Sequence, residues 1–414
     1  MSLANGQVYH AIPGPSVMPE RVLRAMHRAA PNIYHGELVE MTQTLLPDLK
    51  RLAQTEGEVA IYIGNGHAGW EAANANVFSR GDKALVLATG RFAEGWAASL
   101  TAMGVEVELI DFGRRSPADP ARLAERLAAD RGHDIKAVLC THVDTATSAK
   151  NDIAALRAAL DGAGHPALLM VDCIASLGCD EFRMDAWGVD VMVAASQKGV
   201  MVPPGLTFLW FSERAREVAR GAGLRSPYWA WEPRVAPEHF YQLFCGTAPT
   251  HHLYGLREAL DMLIHEEGLK AAWRRHQRLA GAVWAAVEAW GAEGVMALNI
   301  ADPAARAHAV TTLRLDSPDG TRLRRWCEAE AAVTLGIGLG MAEPGDYASD
   351  AHFRLAHMGH VNAHMLLGAL GAMEAGMMAL GVAHGPGGVS AAARVLAGAS
   401  RAAPAVMPVA ASAE

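Results

Sequence analysis

The stretch that decides the fold is Val189-Asp-Val-Met-Val-Ala-Ala-Ser-Gln-Lys-Gly-Val-Met-Val-Pro-Pro-Gly205. Its apolar, β-prone first half ends abruptly at Ser196-Gln-Lys-Gly199, and the Pro-Pro-Gly turn leads into a second β-prone run, Leu206–Phe211. This pattern places one amine, that of Lys198, at the mouth of a buried sheet. Desolvation there weakens the preference of an amine for its charged form, as condensation with a carbonyl requires. An ordinary surface lysine at a strand end fits this stretch equally well.

Strand and helix patterns alternate outward from this stretch. Apolar runs typical of strands are Val59–Ile63, Lys83–Ala88, Val105–Phe112, Ala137–His142, Ala167–Val171, Val189–Ala195 and Leu206–Phe211. Segments with helical spacing between them are Ala68–Phe78, Phe92–Met103, Pro120–Ala129 and Ile153–Ala163. Apolar strands separated by amphipathic helices predict an α/β fold with a mostly parallel seven-stranded sheet covered on both faces.

The length of 414 residues favours two domains over one core. We predict an extended N-terminal segment (1–18), a large domain (19–250), a smaller C-terminal α/β domain (251–383) and an Ala/Gly/Pro-rich tail (384–414). Outside the alternating region we predict helices at Pro19–Arg28, Glu37–Gln54, His251–Glu267 and Ala363–Leu380, and the third of these continues to Trp290. We also predict strands at Ala309–Leu315 and His352–Leu355.

Composition and net charge indicate which class of ligand the protein binds and in which compartment we expect it. A net charge of -8 without a Lys/Arg stripe argues against nucleic acid and favours small metabolites. The five cysteines are odd in number and lack paired metal-type spacing, which indicates a reducing compartment. The start of the chain resembles no signal peptide and no run reaches membrane-spanning length, so we expect a cytoplasmic location and no membrane partner.

A glycine-rich turn, Gly64-Asn-Gly-His-Ala-Gly69, follows a predicted strand and opens a helix. Its spacing matches the dinucleotide fingerprint, but the next strand ends in Leu87-Ala-Thr-Gly90 without the acid that would hold a ribose. The remaining interpretation is a helix N-terminus whose backbone N–H groups bind a phosphate. A glycine turn without a ligand is the alternative.

Three charged residues stand at positions suited to ligands. Asp172 ends a fully apolar strand, at the edge where open α/β sheets bind ligands, and Asp144 follows the preceding strand. A carboxylate buried there needs a cationic partner, although Asp172 could instead cap a helix. Arg354, a lone arginine in a β-like run, suits bidentate binding of a carboxylate, or lies on the surface. The spacing of His357, His360 and His364 lacks a completing carboxylate or cysteine, so we expect no metal.

A phosphate loop, a strand-end aspartate, a strand-end lysine and a distant arginine have one economical joint interpretation. Pyridoxal phosphate needs its phosphate held, an acid against its pyridinium nitrogen and a lysine for the Schiff base. The arginine would then hold the carboxylate of the substrate.

The chain resembles the class V aminotransferases of PLP fold type I, in particular the alanine/serine-glyoxylate aminotransferase group. The resemblance runs from Pro13-Gly-Pro15 to about Leu380. Val171-Asp-Cys-Ile-Ala-Ser-Leu-Gly178 resembles the family's V-D-S-V-A-S-L-G, and Ser196-Gln-Lys198 with Pro203-Pro-Gly205 resembles its S-Q-K and P-P-G. These motifs together are highly specific.

The resemblance implies a role for each matching residue. Lys198 would form the Schiff base and shuttle protons, Asp172 would pair with the pyridinium nitrogen, and Ile174 would pack under the ring. Other implied cofactor contacts are Gly66, His67 and Ala68 in the phosphate loop, Gln197 as its support, Phe92 stacked on the ring, Thr145 at the phenolic oxygen, and Thr247 given to the phosphate by the neighbouring subunit of a homodimer. Arg354, in Phe353-Arg-Leu-Ala-His-Met-Gly359, resembles the carboxylate-binding arginine of F-R-I-G-H-x-G.

The implied function is transfer of an amino group from a small donor such as alanine or serine to glyoxylate or another small 2-oxo acid, by a ping-pong mechanism. Tyr34-His-Gly-Glu37 replaces the common H-R-x-x-E-F motif, and Phe244 stands where tyrosine is frequent, which leaves the donor open. Alternatives are lyase or desulfurase chemistry, with Cys327 the nearest cysteine to the family's loop position, pyridoxamine–pyruvate-type transamination, and a non-catalytic binding protein.

The central role of Lys198 gives the first testable prediction. A Lys198→Ala variant is expected to bind the cofactor without the absorption band of the lysine–cofactor bond and to fail to turn over, because the amine is its covalent anchor. A visible absorption spectrum and a transamination assay measure both effects. Normal transamination by this variant would place the site elsewhere.

Overall fold

Two sheets, each flanked by helices, organise the chain in the computed structural model, which describes residues 2–342 and 346–398. The strands are β1 (Tyr9–Ala11), β2 (Glu58–Gly64), β3 (Lys83–Ala88), β4 (Glu106–Asp111), β5 (Ile135–Thr141), β6 (Leu168–Asp172), β7 (Val191–Ala195), β8 (Gly205–Phe211), β9 (Ala297–Leu298), β10 (Val310–Arg314), β11 (Val333–Ile337) and β12 (His352–Ala356).

The helices follow the same chain order. They are α1 (Glu20–Met26), α2 (Glu37–Ala53), α3 (Gly66–Val77), α4 (Arg91–Ala102), α5 (Pro120–Ala129), α6 (Ile153–Gly162), α7 (Glu213–Ala219), α8 (Glu232–Val235), α9 (Thr250–Leu260), α10 (Leu269–Gly291), α11 (Asp319–Ala331), α12 (Ala363–Leu380) and α13 (Gly388–Ala397). A π-helical segment, Asp261–Glu266, continues α9.

The large sheet has seven strands in the order β2-β8-β7-β6-β5-β3-β4. The strands from β7 to β4 are parallel, and β8 is antiparallel to both of its neighbours. The mostly parallel α/β fold predicted from the sequence is therefore confirmed. Because β5, β6 and β7 are parallel neighbours, the residues that follow them meet at one edge of the sheet.

Alternate side chains of the central strands enter two different cores. In β6, Leu169 and Val171 belong to one buried cluster, whereas Leu168 and Met170 belong to the cluster on the opposite face. Successive residues of a strand point to opposite faces, so a sheet covered on both sides requires an unbroken apolar run. This explains why β6 is apolar up to Asp172, the residue at its carboxyl end.

The small sheet has the order β1-β11-β12-β10-β9, and β1 of the N-terminal segment runs parallel to β11. The sequence patterns missed β1, β9, β11, α11 and α13 here, and α7 and α8 beside the large sheet. The three strands are short, and α11 buries only Gly320, Leu323 and Cys327, so their local apolar signal is weak.

Helix α13 lies within the segment predicted as a tail, and it packs against α10. Gly388, its first residue, allows this approach because a Cβ there would clash with the indole of Trp290. Residues 399–414 of the predicted tail lie outside the described residues.

Helix α12 is long and apolar enough to cross a membrane by length and composition, contrary to the expectation that no run reaches that length. A third of its residues are buried, among them Leu366, Leu370 and Met373 in the core of the small domain. The described contacts of α12 are those of a domain helix that packs against α11 and α13.

The close contact between α3 and the sheet predicts a stability effect. A Cβ at Gly69 would lie 2.5 Å from Thr207 Oγ1 and 2.6 Å from Val193 Cγ1. Gly69→Ala should therefore lower the free energy of unfolding by about 1–3 kcal/mol, measured by urea denaturation. Gly368→Ala is the matched control: no atom lies within 4 Å of its Cβ position. It should be neutral or stabilising by up to about 1 kcal/mol. Equal effects of the two substitutions would contradict the packing argument.

Candidate active site

A cavity of about 200 Å³ lies at the carboxyl edge of the large sheet, between the ends of β5, β6 and β7 and the first turns of α3 and α4. Its lining residues are Asn65, Gly66, His67, Trp70, Phe92, Val143, Thr145, Asp172, Ile174, Gln197 and Lys198. Most of the site residues predicted from the sequence thus meet in one place. Ala68, Thr247 and Arg354 do not line the cavity, and the sequence patterns missed Asn65, Trp70 and Val143.

Lys198 is buried, with 9% of its surface exposed. Its Nζ donates a hydrogen bond to the carbonyl of Pro13, and the Ser16 hydroxyl donates to the carbonyl of Lys198 at 2.7 Å. Burial, followed by the nearby charge of Arg354, lowers the pKa of Lys198 to about 8. The amine is therefore closer to its neutral form near physiological pH than an exposed lysine.

Asp172 is 3% exposed, and its partners are neutral N–H donors rather than the cation expected from the sequence. The Trp70 Nε1–H donates to Oδ2 at 2.9 Å, and the backbone N–H of Ile174 donates to Oδ1 at 2.7 Å. No salt bridge within the described ranges involves this carboxylate. Burial raises the pKa of Asp172 to about 7, so a cationic ligand group would relieve an uncompensated charge.

Helix α3 presents its N-terminus to the cavity. Asn65 is the N-cap, and its side chain accepts a hydrogen bond from the backbone N–H of His67 at 3.1 Å. A Cβ at Gly66 would clash with Ile174, so the glycine allows Ile174 to pack beside the turn. Ala68 lies in the same first turn, against Gly64. This helix end carries the partial positive charge that favours a phosphate.

Asp144 fixes two of the loops that line the cavity. Its buried carboxylate accepts hydrogen bonds from the backbone N–H groups of Phe92 at 2.9 Å, Ala93 at 3.3 Å and Ala146 at 2.9 Å. A Cβ at Gly90 would clash with this carboxylate. Asp144 thus caps α4 and orders the turn that contains Thr145, a positioning role that the sequence alone did not reveal.

Arg354 lies on β12, behind the loop that carries Thr145. Its Nη1 donates to the Thr145 carbonyl at 3.0 Å and its Nε to the Ile337 carbonyl at 2.7 Å. Burial lowers the pKa of Arg354 to about 10. No salt bridge among residues 2–342 and 346–398 involves this guanidinium, so it is a buried cation that a carboxylate ligand would neutralise.

The remaining predicted contacts lie apart from the cavity in the single chain. Thr247 is exposed, and its predicted contribution to the site of a second subunit stays a prediction. Phe244 is buried in the core of the large domain, and Tyr34 is 83% exposed.

Of the three histidines considered for a metal site, His357 is engaged by other groups, whereas His360 and His364 are exposed. His357 is buried, with Nδ1 bonded to the His308 carbonyl and Nε2 to the Thr311 hydroxyl, so neither nitrogen is available as a ligand. A different cluster, Asp48, Asp261 and His265, brings possible ligand atoms within 4.8 Å of one another. The Arg257 guanidinium bonds both carboxylates there, at 2.5 and 2.9 Å, and supplies the positive charge.

The cavity residues fit pyridoxal phosphate. Lys198 offers a buried amine to an aldehyde, Asp172 an uncompensated carboxylate to a pyridinium nitrogen, and α3 an N-terminus to a phosphate. Gln197 adds a polar group, because its buried Oε1 has no hydrogen-bond partner among the described residues. Phe92 and Ile174 provide apolar surfaces for a ring.

The lowered pKa of Lys198 predicts a pH-dependent reactivity in the cofactor-free protein. Arylation by fluorodinitrobenzene requires the neutral amine, so its rate at Lys198 should rise with pH and reach half of its maximum near pH 8. The same lysine in the urea-unfolded chain should reach half of its maximum rate only near its unperturbed pKa of about 10.4. Peptide mass spectrometry measures both rates, and coincident pH profiles would contradict the effect of burial.

Comparisons with known proteins agree with this geometry. The family model for aminotransferase class-V matches residues 11–350. The chain is 34% identical to a serine–glyoxylate aminotransferase of Methylorubrum extorquens, covering 94% of this chain and 96% of that one. It is 35% identical to an L-aspartate–glyoxylate aminotransferase of Paracoccus denitrificans, covering 90% and 91%.

Solved structures show the same fold. Pyridoxamine-pyruvate aminotransferase from Mesorhizobium loti superimposes with a TM-score of 0.84 at 25% identity, covering 96% of this chain and 99% of that one. Alanine–glyoxylate aminotransferase from Nostoc sp. gives a TM-score of 0.80 at 26% identity, with 91% and 96% covered. The chain therefore belongs to the class V aminotransferases and is a PLP-dependent enzyme of that family.

Proposed function

We propose that this enzyme transfers an amino group from a small amino acid, such as alanine or serine, to glyoxylate or another small 2-oxo acid by a ping-pong mechanism. The observation that carries the proposal is the meeting of a buried lysine and a buried aspartate in one cavity, neither of them ion-paired within the described chain. Two relatives that match most of the chain are glyoxylate aminotransferases, which supports glyoxylate as the acceptor.

Lys198 is the proposed covalent anchor and proton carrier. Bound pyridoxal phosphate supplies an electron sink that stabilises negative charge at the α-carbon of the substrate. With its pKa lowered to about 8, the released amine of Lys198 can accept the α-proton and donate it again near neutral pH. The carbonyl of Pro13 and the hydroxyl of Ser16 hold this residue against the N-terminal segment.

Asp172 is the proposed partner of the pyridinium nitrogen. Its negative charge would keep that nitrogen protonated and so favour electron withdrawal from the reacting carbon. The N–H groups of Trp70 and Ile174 orient the carboxylate and oppose the rise in its pKa that burial causes. Trp70 is therefore a positioning residue, because it acts through Asp172.

The ends of the cofactor and the substrate have separate proposed anchors. The phosphate would bind the N-terminus of α3 at Gly66, His67 and Ala68, with Gln197 beside it, and Thr145 would meet the phenolic oxygen. Phe92 and Ile174 would enclose the ring. Arg354, a buried cation without an ion pair in the described chain, would bind the substrate carboxylate.

We also propose a homodimer in the cytoplasm. Thr247 supports the dimer, because it is exposed and does not line the cavity of its own chain although it matches a family phosphate contact. The cysteines support a reducing compartment: all five are free, and Cys140, Cys173, Cys179 and Cys327 are buried.

Cys327 is not positioned to act as the nucleophile of desulfurase chemistry. Cys327 lies on α11 in the core of the small domain and does not line the active-site cavity. Burial raises the pKa of its thiol to about 12, which leaves little reactive thiolate. Pyridoxamine–pyruvate-type transamination remains the second candidate, on the structural likeness to the Mesorhizobium loti enzyme.

A donor screen tests the proposal. Serine, aspartate and pyridoxamine are each assayed with glyoxylate and with pyruvate. Alanine is assayed with glyoxylate only. We expect the highest kcat/KM for alanine or serine with glyoxylate. Turnover of pyridoxamine with pyruvate, together with inert amino acids, would replace the proposal with the second candidate. A purified protein without visible cofactor absorption after incubation with pyridoxal phosphate would overturn both.

A further inference from the structure

A second, larger cavity of about 750 Å³ lies between the two domains. Large-domain residues at the ends of β5 and the starts of α5 and α6 form one side, and α10 with the loop before β10 forms the other. It shares no lining residue with the 200 Å³ cavity. The mechanism proposed above uses no side chain of this interdomain cavity.

Two positive charges of the interdomain cavity have no partner among the described residues. Lys270 and Arg274 are exposed side chains one turn apart on α10, and neither forms a salt bridge or hydrogen bond within the described ranges. Residues at this spacing share one face of a helix, so both cations can reach the same ligand. The N-terminal turn of α10 itself adds partial positive charge beside Lys270.

The acidic side chains of the interdomain cavity are already engaged. Asp180 is buried and lies 3.0 Å from the His308 ring and 3.6 Å from the Lys150 ammonium. Asp152 accepts a hydrogen bond as the N-cap of α6, and Asp302 does so as the N-cap of a 3-10 turn. Glu181 pairs with Arg183. An anionic ligand is therefore better matched than a cation to the free groups.

Two indoles give this cavity an apolar part. Trp187 and Trp273 both line it, and Trp273 is 8% exposed. A bare inorganic anion would use the cations alone, whereas an organic carboxylate would also cover apolar indole surface.

We propose that the interdomain cavity binds a small organic carboxylate, held by Lys270 and Arg274 against the indole of Trp273. The occupant would touch both domains next to the active site. His142 lines this cavity and its backbone N–H donates to the Asp172 carbonyl at 2.8 Å, while the following residues, Val143 and Thr145, line the 200 Å³ cavity.

The test is calorimetric titration of the holoenzyme with malonate, which cannot transaminate, and separately with inorganic phosphate. The double variant Lys270→Met/Arg274→Met removes both charges and keeps an unbranched side chain at each position. Arg278→Met is the matched control, because Arg278 is an exposed cation of the same helix that does not line the cavity. Arg354→Lys reports malonate binding at the proposed substrate site.

We expect malonate affinity to fall at least tenfold in the double variant and to stay within twofold in Arg278→Met, with the cofactor spectrum and kcat unchanged in both. Malonate binding that the double variant leaves intact, or that only Arg354→Lys abolishes, would overturn the proposal. Binding of phosphate without malonate would overturn it as well, since the apolar wall would then have no role. These outcomes do not depend on which amino donor the enzyme uses.

Discussion

The proposed active site depends on an uncompensated carboxylate at the end of an apolar strand. Asp172 is buried because β6 is covered on both faces, and the groups that reach it are the Trp70 indole and one backbone N–H. Its raised pKa shows the cost of that burial, which a cationic ligand would offset. The same edge holds Lys198, whose lowered pKa has the same origin. Burial therefore prepares both groups for a cofactor that carries a cation and a carbonyl.

At the carboxyl edge of the large sheet, hydrogen bonds join the two sheets in addition to the chain connections between them. Strand β1 extends the small sheet, and the residues after it continue to Pro13 and Ser16, which hold Lys198. Arg354 of the small sheet reaches the Thr145 carbonyl of the large domain. The interdomain cavity adds a third contact, in which the buried Asp180 accepts from the His308 backbone N–H. These hydrogen bonds connect the small sheet and its flanking loops to the segments that line both cavities.

Much of the fold was predictable because its signals are local. Helix α5 (Pro120–Ala129), helix α12 (Ala363–Leu380) and strand β3 (Lys83–Ala88) have the predicted bounds. Helix α5 is strongly amphipathic, α12 lies between the caps Asn362 and Gly381, and β3 is a continuous apolar run after Lys83. Strand β11 and helix α13 were missed because tertiary partners form them: β11 pairs with β1 and β12, and α13 packs on α10. A short segment whose partners are distant carries little periodicity of its own.

The sequence by itself determined which reactive residues follow the predicted strands and begin the predicted helices. These are a single lysine after one buried strand, an aspartate after the neighbouring strand, and glycines at the start of a helix. Each of these signals lies within a few residues of the end of its own strand or the start of its own helix. Only the tertiary structure decided what surrounds them. Trp70 reaches Asp172 across 102 residues of chain, Arg354 reaches Thr145 across 209, and Asp144 clamps the loop of Phe92 across 52. Such pairings depend on how the elements pack in three dimensions, which local periodicity does not encode.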